Sequence, residues 1–338
     1  MRKKIKVLLL FDSPYSAPRG YDFVEEFKSV DWDTENDVYS SLNELGYEVS
    51  ILGLYNDIGI LLEEIKESKP DVVFNLADVF NQKAYLDKNV ASLLEMLDVF
   101  YTGASPASLF TCNNKALSKE ILTFHKIKVP RFRTFYRKHR VWFLQHLKLP
   151  LIVKPLSEEA SRGISQSSIV DNKDAFFERV NFIHQRMSAD AIVEEYVDGR
   201  ELYVSVLGNK RIQVLPFREM QFGQLPEDEP RIATYKAKWD DKYREKWGIK
   251  SIFAEKLPNG VDKKIENICK RAYRILNIQC YARFDIRVLA DGQVYIIEVN
   301  ANPCLARCDE VAQSAEKSGI SYNQLIDKIT KLAFKRKR

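Results

Sequence analysis

Apolar runs and amphipathic stretches alternate over the first hundred residues. IKVLLLF (5–11), YEVSILGL (47–54) and DVVFNL (71–76) read as strands. Between the first two, Val38, Leu42 and Leu45 share one helical face, with Thr34 as the N-cap and Gly46 as the stop. A second helix spans 58–68, capped by Asp57 and followed by Pro70. Strand, helix, strand, helix, strand implies a parallel, Rossmann-like sheet. The loop after the first strand, DSPYSAPRG, lacks the G-x-G-x-x-G that brings a pyrophosphate onto a helix N-terminus, which disfavours a nicotinamide or flavin dehydrogenase.

From about residue 113 the texture changes. A helix is expected over 114–125, a strand at PLIVKP (150–155), a helix over about 174–187 and a strand at AIVEEYV (191–197). Residues 218–260 are rich in charge, Pro and Trp with weak periodicity, and read as a long lid or binding loop. A helix over 262–275, two strands flanking Asp291-Gly292 and a helix from about Tyr322 complete the chain, without an internal repeat.

The stretch YARFDIRVLADGQVYIIEVNANP (281–303) sets Asp-Gly between two alternating runs, a strong hairpin signal. With Asp291 and Gly292 as a two-residue loop, Asp285 opposes Glu298 and Arg283 opposes Asn300. Phe284, Ile286, Val288, Tyr295, Ile297 and Val299 then share an apolar face. Arg283, Asp285, Arg287, Glu298, Asn300 and Asn302 share a polar one. Facing carboxylates repel unless a cation lies between them, and two carboxylates with an amide suit Mg²⁺ or Mn²⁺. The competing reading is a solvated edge hairpin whose acids are neutralised by Arg283 and Arg287.

Composition narrows the field. The chain of 338 residues is 45% hydrophobic and 29% charged, as for an ordinary globular protein of two to three domains. The longest apolar run, 5–11, is far shorter than a membrane span and no signal-peptide cleavage site follows it, so a cytoplasmic protein is expected. Subtracting the nine basic side chains of segments 1–6 and 331–338 from the formal charge of +5 leaves −4 for the body. The basicity therefore belongs to solvated, frayed ends, and nucleic acid is disfavoured as a partner. Five cysteines without a C-x-x-C argue against disulfides or structural zinc, and the four histidines have no ligand spacing.

Upstream, Lys154 sits in the middle of an apolar strand, where its ammonium needs an anion. The following loop ends in Ser161-Arg162-Gly163 and suits a phosphate. Glu194 and Glu201 flank a strand end and a Gly turn, as exposed acids or as acceptors for an amino group and ribose hydroxyls. Lys115 opens a helix against its macrodipole, which invites an anion.

Together these segments resemble the ATP-grasp superfamily, in its D-alanine-D-alanine ligase-like branch. The likeness runs in order through LLEMLDVFYTG (93–103), NNKALSKEIL, PLIVKP, VEEYVDGREL, ATYKAKW, YARFDIR, EVNANP and GISYNQLIDKI (319–329). The resemblance implies a three-domain α/β and α+β fold. Its parts are an N-terminal Rossmann-like domain (1–112), a central subdomain (113–197), a C-terminal subdomain (198–332) with lid loop 218–260, and a basic tail (333–338).

It further implies that Lys115, Lys154, Ser161 and Gly163 lie along ATP, that Glu194 with the backbone of Tyr196 and Val197 holds adenine, and that Glu201 binds ribose. Lys238 would reach the γ-phosphate, Arg283 would stabilise the transferred phosphoryl group, and Asp285, Glu298 and Asn300 would hold Mg²⁺ or Mn²⁺. The implied reaction makes an amide through an acyl phosphate, from small carboxylate and amine substrates such as amino acids, and leaves room for a homodimer. The alternatives are an inactive ATP-binding regulator and a kinase that stops at phosphoryl transfer.

Departures fall on the substrate side. E-G-S-S-x-G is replaced by Glu158-Glu159-Ala160-Ser161-Arg162-Gly163, E-A-K-Y by Lys236-Ala237-Lys238-Trp239, and P-G-M by Pro303-Cys304-Leu305. The H-G and G-E-D-G motifs are missing from the first domain. A substrate other than D-alanine is therefore expected, with Cys304 and Cys308 near the acceptor site.

Overall fold

The computed structural model describes residues 4–157, 161–226 and 229–336. Its first sheet is parallel: β1 (Lys6–Asp12) lies between β2 (Glu48–Leu54) and β3 (Val72–Asn75), connected through α1 (Asp33–Glu44) and α2 (Gly59–Ser68). Leu8 and Leu10 enter one core while Val7, Leu9 and Phe11 enter another. A strand covered on both faces reads as an unbroken apolar run, as β1 does. The Asp57 carboxylate accepts the Gly59 N–H at 2.8 Å, and Gly46 beyond α1 takes φ 80°. Thr34 is not the cap of α1, which begins one residue earlier; its hydroxyl instead meets Cys304 Sγ at 3.1 Å. α3 (Asp87–Met96) and α4 (Pro106–Asn113) follow.

α5 (Lys115–Phe124) starts on Asn114, whose side chain accepts the N–H groups of Ala116 and Leu117, each at 3.1 Å. Next come β4 (Phe132–Phe135), β5 (Leu151–Pro155), β6 (Ile169–Val170), α6 (Lys173–Arg186) and β7 (Ala191–Glu195). The strands form an antiparallel sheet in the order β4-β7-β5-β6. Leu151, Val153 and Val193 pack on Phe176, Val180 and Ile183 of α6. Alternation aims Ile152, Lys154, Ile192 and Glu194 at the opposite face.

The third sheet contains β8 (Arg200–Leu207), β9 (Gln213–Val214), β10 (Arg218–Phe222), β11 (Ile249–Phe253), β12 (Tyr281–Val288) and β13 (Val294–Asn300). They run β11-β10-β8-β12-β13, with β9 on β8. α7 (Tyr235–Trp239) and α8 (Asp241–Lys246) lie between β10 and β11. α9 (Val261–Ile275) covers one face, where Ile265, Cys269 and Ala272 meet Leu202, Val204, Phe284 and Ile286. α10 (Glu310–Lys317) and α11 (Tyr322–Ala333) return to the first sheet, with Leu325, Ile326 and Ile329 against Val38 and Leu42.

Two further expectations give way. Segment 218–260 is not one long loop, since it carries β10, α7, α8 and β11. Its periodicity is masked because β10 buries charged residues. Glu219 pairs with Arg200 at 2.6 Å, and the Arg218 guanidinium lies 4.5 Å from the Phe253 ring centre. Nor is the basic end wholly frayed: Arg336 is buried, donates to the Gly103 carbonyl at 2.6 Å and lies 3.7 Å from the centre of the Tyr101 ring. Arg2, Lys3, Lys337 and Arg338 lie outside the described residues. No helix among the described residues is long and apolar enough to cross a membrane.

Candidate active site

The hairpin β12–β13 places Asp285 opposite Glu298 and Arg283 opposite Asn300, the expected pairs. The route to that register differs. The loop has three residues, 290–292: Leu289 N–H donates to Gln293 O at 2.9 Å, Gly292 N–H donates to Leu289 O at 2.9 Å, and Gly292 alone takes a positive φ, 76°. The Asp291 carboxylate accepts Gln293 N–H at 2.9 Å, favouring this turn over the tight Asp-Gly form. Near the turn Ile286 therefore faces Ile296, one residue out of phase, and a bulge at Ile297 restores the pairing beyond it. As a result Val294 and Ile296 enter the core, where Tyr295 and Ile297 were expected, and Ile297 lines the cleft instead.

β8 completes three rows across the sheet: Ser205–Arg283–Asn300, Tyr203–Asp285–Glu298 and Glu201–Arg287–Tyr295. The solvated-edge reading fails, because β12 is an interior strand and Asp285 is 6% exposed. Arg283 grips Asp285 through Nε (2.8 Å) and Nη2 (3.1 Å) and donates to Glu310 at 3.2 Å. Asn300 Nδ2 donates to Asp285 at 3.3 Å. Burial raises the Asp285 pKa against the pull of Arg283. Burial would raise Glu298 too, but the Lys115 and Lys154 ammoniums outweigh it and hold Glu298 at about 2. Lys115 Nζ lies 2.9 Å from Glu298.

The sheet containing β7 faces this one. Glu194, 1% exposed, is the anion that Lys154 needs, at 2.9 Å. A second ammonium, Lys119, lies 3.5 Å away and also donates to the carbonyl of Ile297. Sequence reasoning missed Lys119, although it follows Lys115 by one helical turn, a spacing that puts both on one face of α5. α5 is thus the floor, reaching β13 through Lys115 and β7 through Lys119. Burial lowers the Lys119 pKa to about 8, and Lys119 and Lys154 together hold Glu194 below its ordinary value despite its burial.

Lys154, Ser161, Glu194, Tyr196, Val197, Glu201, Lys238, Asp285 and Glu298 line one cleft. Lys115 and Asn300 line an adjoining pocket that shares Glu298, and Arg283 is bonded to Asp285. The N–H of Tyr196 is taken by Pro150 O at 3.0 Å. Gly163 is set back from Ser161 at φ 71° and its carbonyl accepts from Arg179. Glu158, Glu159 and Ala160 of the expected phosphate loop lie outside the described residues. Lys238 on α7 projects its ammonium to 5.6 Å from the Tyr203 ring centre. Cys304 and Cys308 are exposed on the loop after β13.

Two antiparallel sheets closing on a lysine-floored cleft, beside a parallel N-terminal sheet, define an ATP-grasp enzyme. The family described as D-ala D-ala ligase C-terminus matches residues 121–331. D-alanine–D-alanine ligase A of Bacillus cereus is 27% identical over 310 residues, covering 91% of this chain and 94% of that one. The uncharacterized protein y4sG of Sinorhizobium fredii is 30% identical over 306 residues, covering 88% and 87%. The crystal structure of D-alanine–D-alanine ligase from Bacillus anthracis complexed with ATP shares the fold, with a TM-score of 0.75 at 23% identity over 98% of each chain. The chain belongs to the D-alanine–D-alanine ligase family and is an ATP-dependent, ADP-forming carbon–nitrogen ligase.

Proposed function

We propose that this ligase uses ATP to activate a small carboxylic acid of the amino-acid class and joins it to an amine, and that at least one of the two substrates is not D-alanine. In this reading Glu194 and Val197 hold the adenine edge, Glu201 the ribose, and Lys115, Lys154, Ser161 and Gly163 the phosphate side. Lys238 approaches the γ-phosphate from α7. The carrying observation is the register of β12 on β13, which sets a buried Asp285 against an ionised Glu298 with Arg283, Lys115 and Lys154 around them.

The donor set fits Mg²⁺ or Mn²⁺. Two facing carboxylates are hard oxygen ligands, and Asn300 spends an N–H on Asp285, keeping its carbonyl oxygen as a third. Among the described residues no group of three or more His, Cys, Asp or Glu gathers as a metal cluster, so phosphate oxygens and water would complete the shell. When bound, such an ion supplies charge neutralisation and alignment of the terminal phosphates.

The substrate carboxylate attacks the γ-phosphorus, ADP leaves, and an acyl phosphate forms. The amine then attacks its carbonyl carbon, phosphate leaves with the electron pair of the C–O bond, and the nitrogen loses a proton. Arg283 engages its carboxylate neighbours with three of five N–H groups, so two remain for the oxyanion. The different substrate is supported by Cys304-Leu305 after Pro303 and by Lys236-Ala237-Lys238-Trp239 on the covering helix, where the D-alanine enzymes carry other residues.

The test is mass spectrometry of products formed from ATP, Mg²⁺ and pooled amino acids that include D-alanine, with ADP release followed in parallel. Asp285→Asn and Glu298→Gln should each lower turnover by at least ~10²-fold with the fold intact. Full activity in both would overturn the metal and phosphoryl assignment. D-alanyl-D-alanine as the main product would overturn the substrate reading.

A further inference from the structure

Arg287 is a buried cation on the cleft wall that the proposed chemistry leaves unused, and this inference rests on the nucleotide reading of that cleft. Its guanidinium serves three elements at once. Nη2 donates to the Glu201 carboxylate across β8–β12, Nη1 donates to the Gly199 carbonyl at 2.8 Å, and Nη2 also donates to the Arg231 carbonyl at 2.6 Å. The plane lies 5.7 Å from the centre of the Tyr196 ring, whose hydroxyl donates to the same Arg231 carbonyl at 3.2 Å. The second Glu201 oxygen accepts from Tyr203 OH at 3.0 Å.

We infer that Arg287 is a positioning residue for nucleotide selection: it aims Glu201 at the sugar hydroxyls and ties the covering segment around Arg231 to the same wall, so that sugar recognition and covering of the cleft are coupled. A rigid five-donor fork meets a carboxylate and two carbonyls together; an ammonium on a flexible stem cannot. The ligand class selected is a ribonucleoside triphosphate over its 2′-deoxy counterpart.

Calorimetric titration of the whole protein with ATP and with 2′-deoxy-ATP, both with Mg²⁺, tests this without knowledge of the other substrates. The wild type should bind ATP about 10-fold more tightly, the loss of one hydrogen bond to a carboxylate. Glu201→Gln should erase most of that ratio. Arg287→Met should bring it within about 2-fold, and Arg287→Lys, which keeps the charge and guards against a folding failure, should fall to within about 3-fold. Trypsin should also cut the 231–246 segment faster in both Arg287 variants with ATP present. Should Glu201→Gln lose the ratio while both Arg287 variants keep it, the Arg287 inference fails and the cleft reading stands. Should the wild type bind both nucleotides equally, or neither, the sugar-side reading fails and this inference with it.

Discussion

Glu194→Gln removes the carboxylate placed between two buried ammoniums, at 2.9 Å from Lys154 and 3.5 Å from Lys119, with all three side chains at most 5% exposed and Glu298 the remaining anion acting on both lysines. Breaking a buried ion pair by taking one partner costs about 3–5 kcal/mol, because the remaining charge stays desolvated. Here a relief route limits the loss. Lys119 is already held at about 8 by burial although Glu194 attracts its proton. A drop from 10.5 to about 8 corresponds to roughly 3 kcal/mol against the charged form at ~1.4 kcal/mol per pH unit. Without Glu194 the value falls further, and Lys119 sheds its proton close to neutrality. Between the folded and unfolded values the unfolded chain binds more protons, so stability rises with pH across that window. The window opens near pH 8 in the wild type and lower in the variant. The variant should therefore be about 3–5 kcal/mol less stable at pH 6, with the gap narrowing by pH 8–9. Urea unfolding of both proteins at pH 6, 7, 8 and 9, followed by circular dichroism, reads the difference directly. A penalty under ~1 kcal/mol at pH 6, or equal penalties at pH 6 and 9, would refute the three-residue charge arrangement.

Other positions give separate tests. Burial, with Asp12 and Asp33 nearby, raises Glu35 from 4.5 to about 7, so the folded state binds the extra proton between those values and stability falls as pH rises through them. Glu35→Gln should thus stabilise by about 1–3 kcal/mol at pH 8 and little at pH 4.5, and melting temperatures that shift alike at both would contradict it. Gly103 has φ 89°, and a Cβ there would lie 2.7 Å from Asn302 Oδ1, which accepts the Ala104 N–H at 2.7 Å. Gly103→Ala should cost about 2–4 kcal/mol in thermal or urea unfolding, and an unchanged midpoint would show that the close approach is not binding on the chain. Arg336→Ala should cost about 2–3 kcal/mol through the lost carbonyl contacts and the Tyr101 ring, and Arg336→Lys should recover less than half; full recovery by Lys would reduce the contact to simple charge.

Much of the site was legible because its signals are local. Alternation along 283–300 gathers Arg283, Asp285, Glu298 and Asn300 on one polar face, and Lys154 in an apolar strand announces a buried counter-ion. What stayed hidden depends on distant partners. Lys119 looks like any helix lysine until Glu194 and the Ile297 carbonyl are brought to it. β10 looks polar in sequence, yet Arg218 is buried against the Phe253 ring and the Ser251 carbonyl and Glu219 against Arg200, all of them distant along the chain. β8 was overlooked behind the Gly turn at 199, although Leu202, Val204 and Val206 alternate cleanly. The Asp-Gly pair correctly marked the hairpin but not the turn type, since the Asp291 side chain settles that choice by bonding the Gln293 N–H.

The extra residue at Ile297 gives the ribbon two independently phased halves. The half by the turn answers to the core beneath it, and the half by Asp285 answers to the cleft. A tight two-residue turn without a bulge would align the same acidic pair, so relatives with different turns can converge on identical chemistry. Because the bulge frees the Ile297 carbonyl from the ladder and Lys119 captures it, the stagger is secured from the helical floor. Deleting Ile297 alone would remove the bulge yet leave Asp285 opposite Glu298 and Arg283 opposite Asn300, so the cleft would keep its acidic pair and lose only the carbonyl by which Lys119 holds the strand.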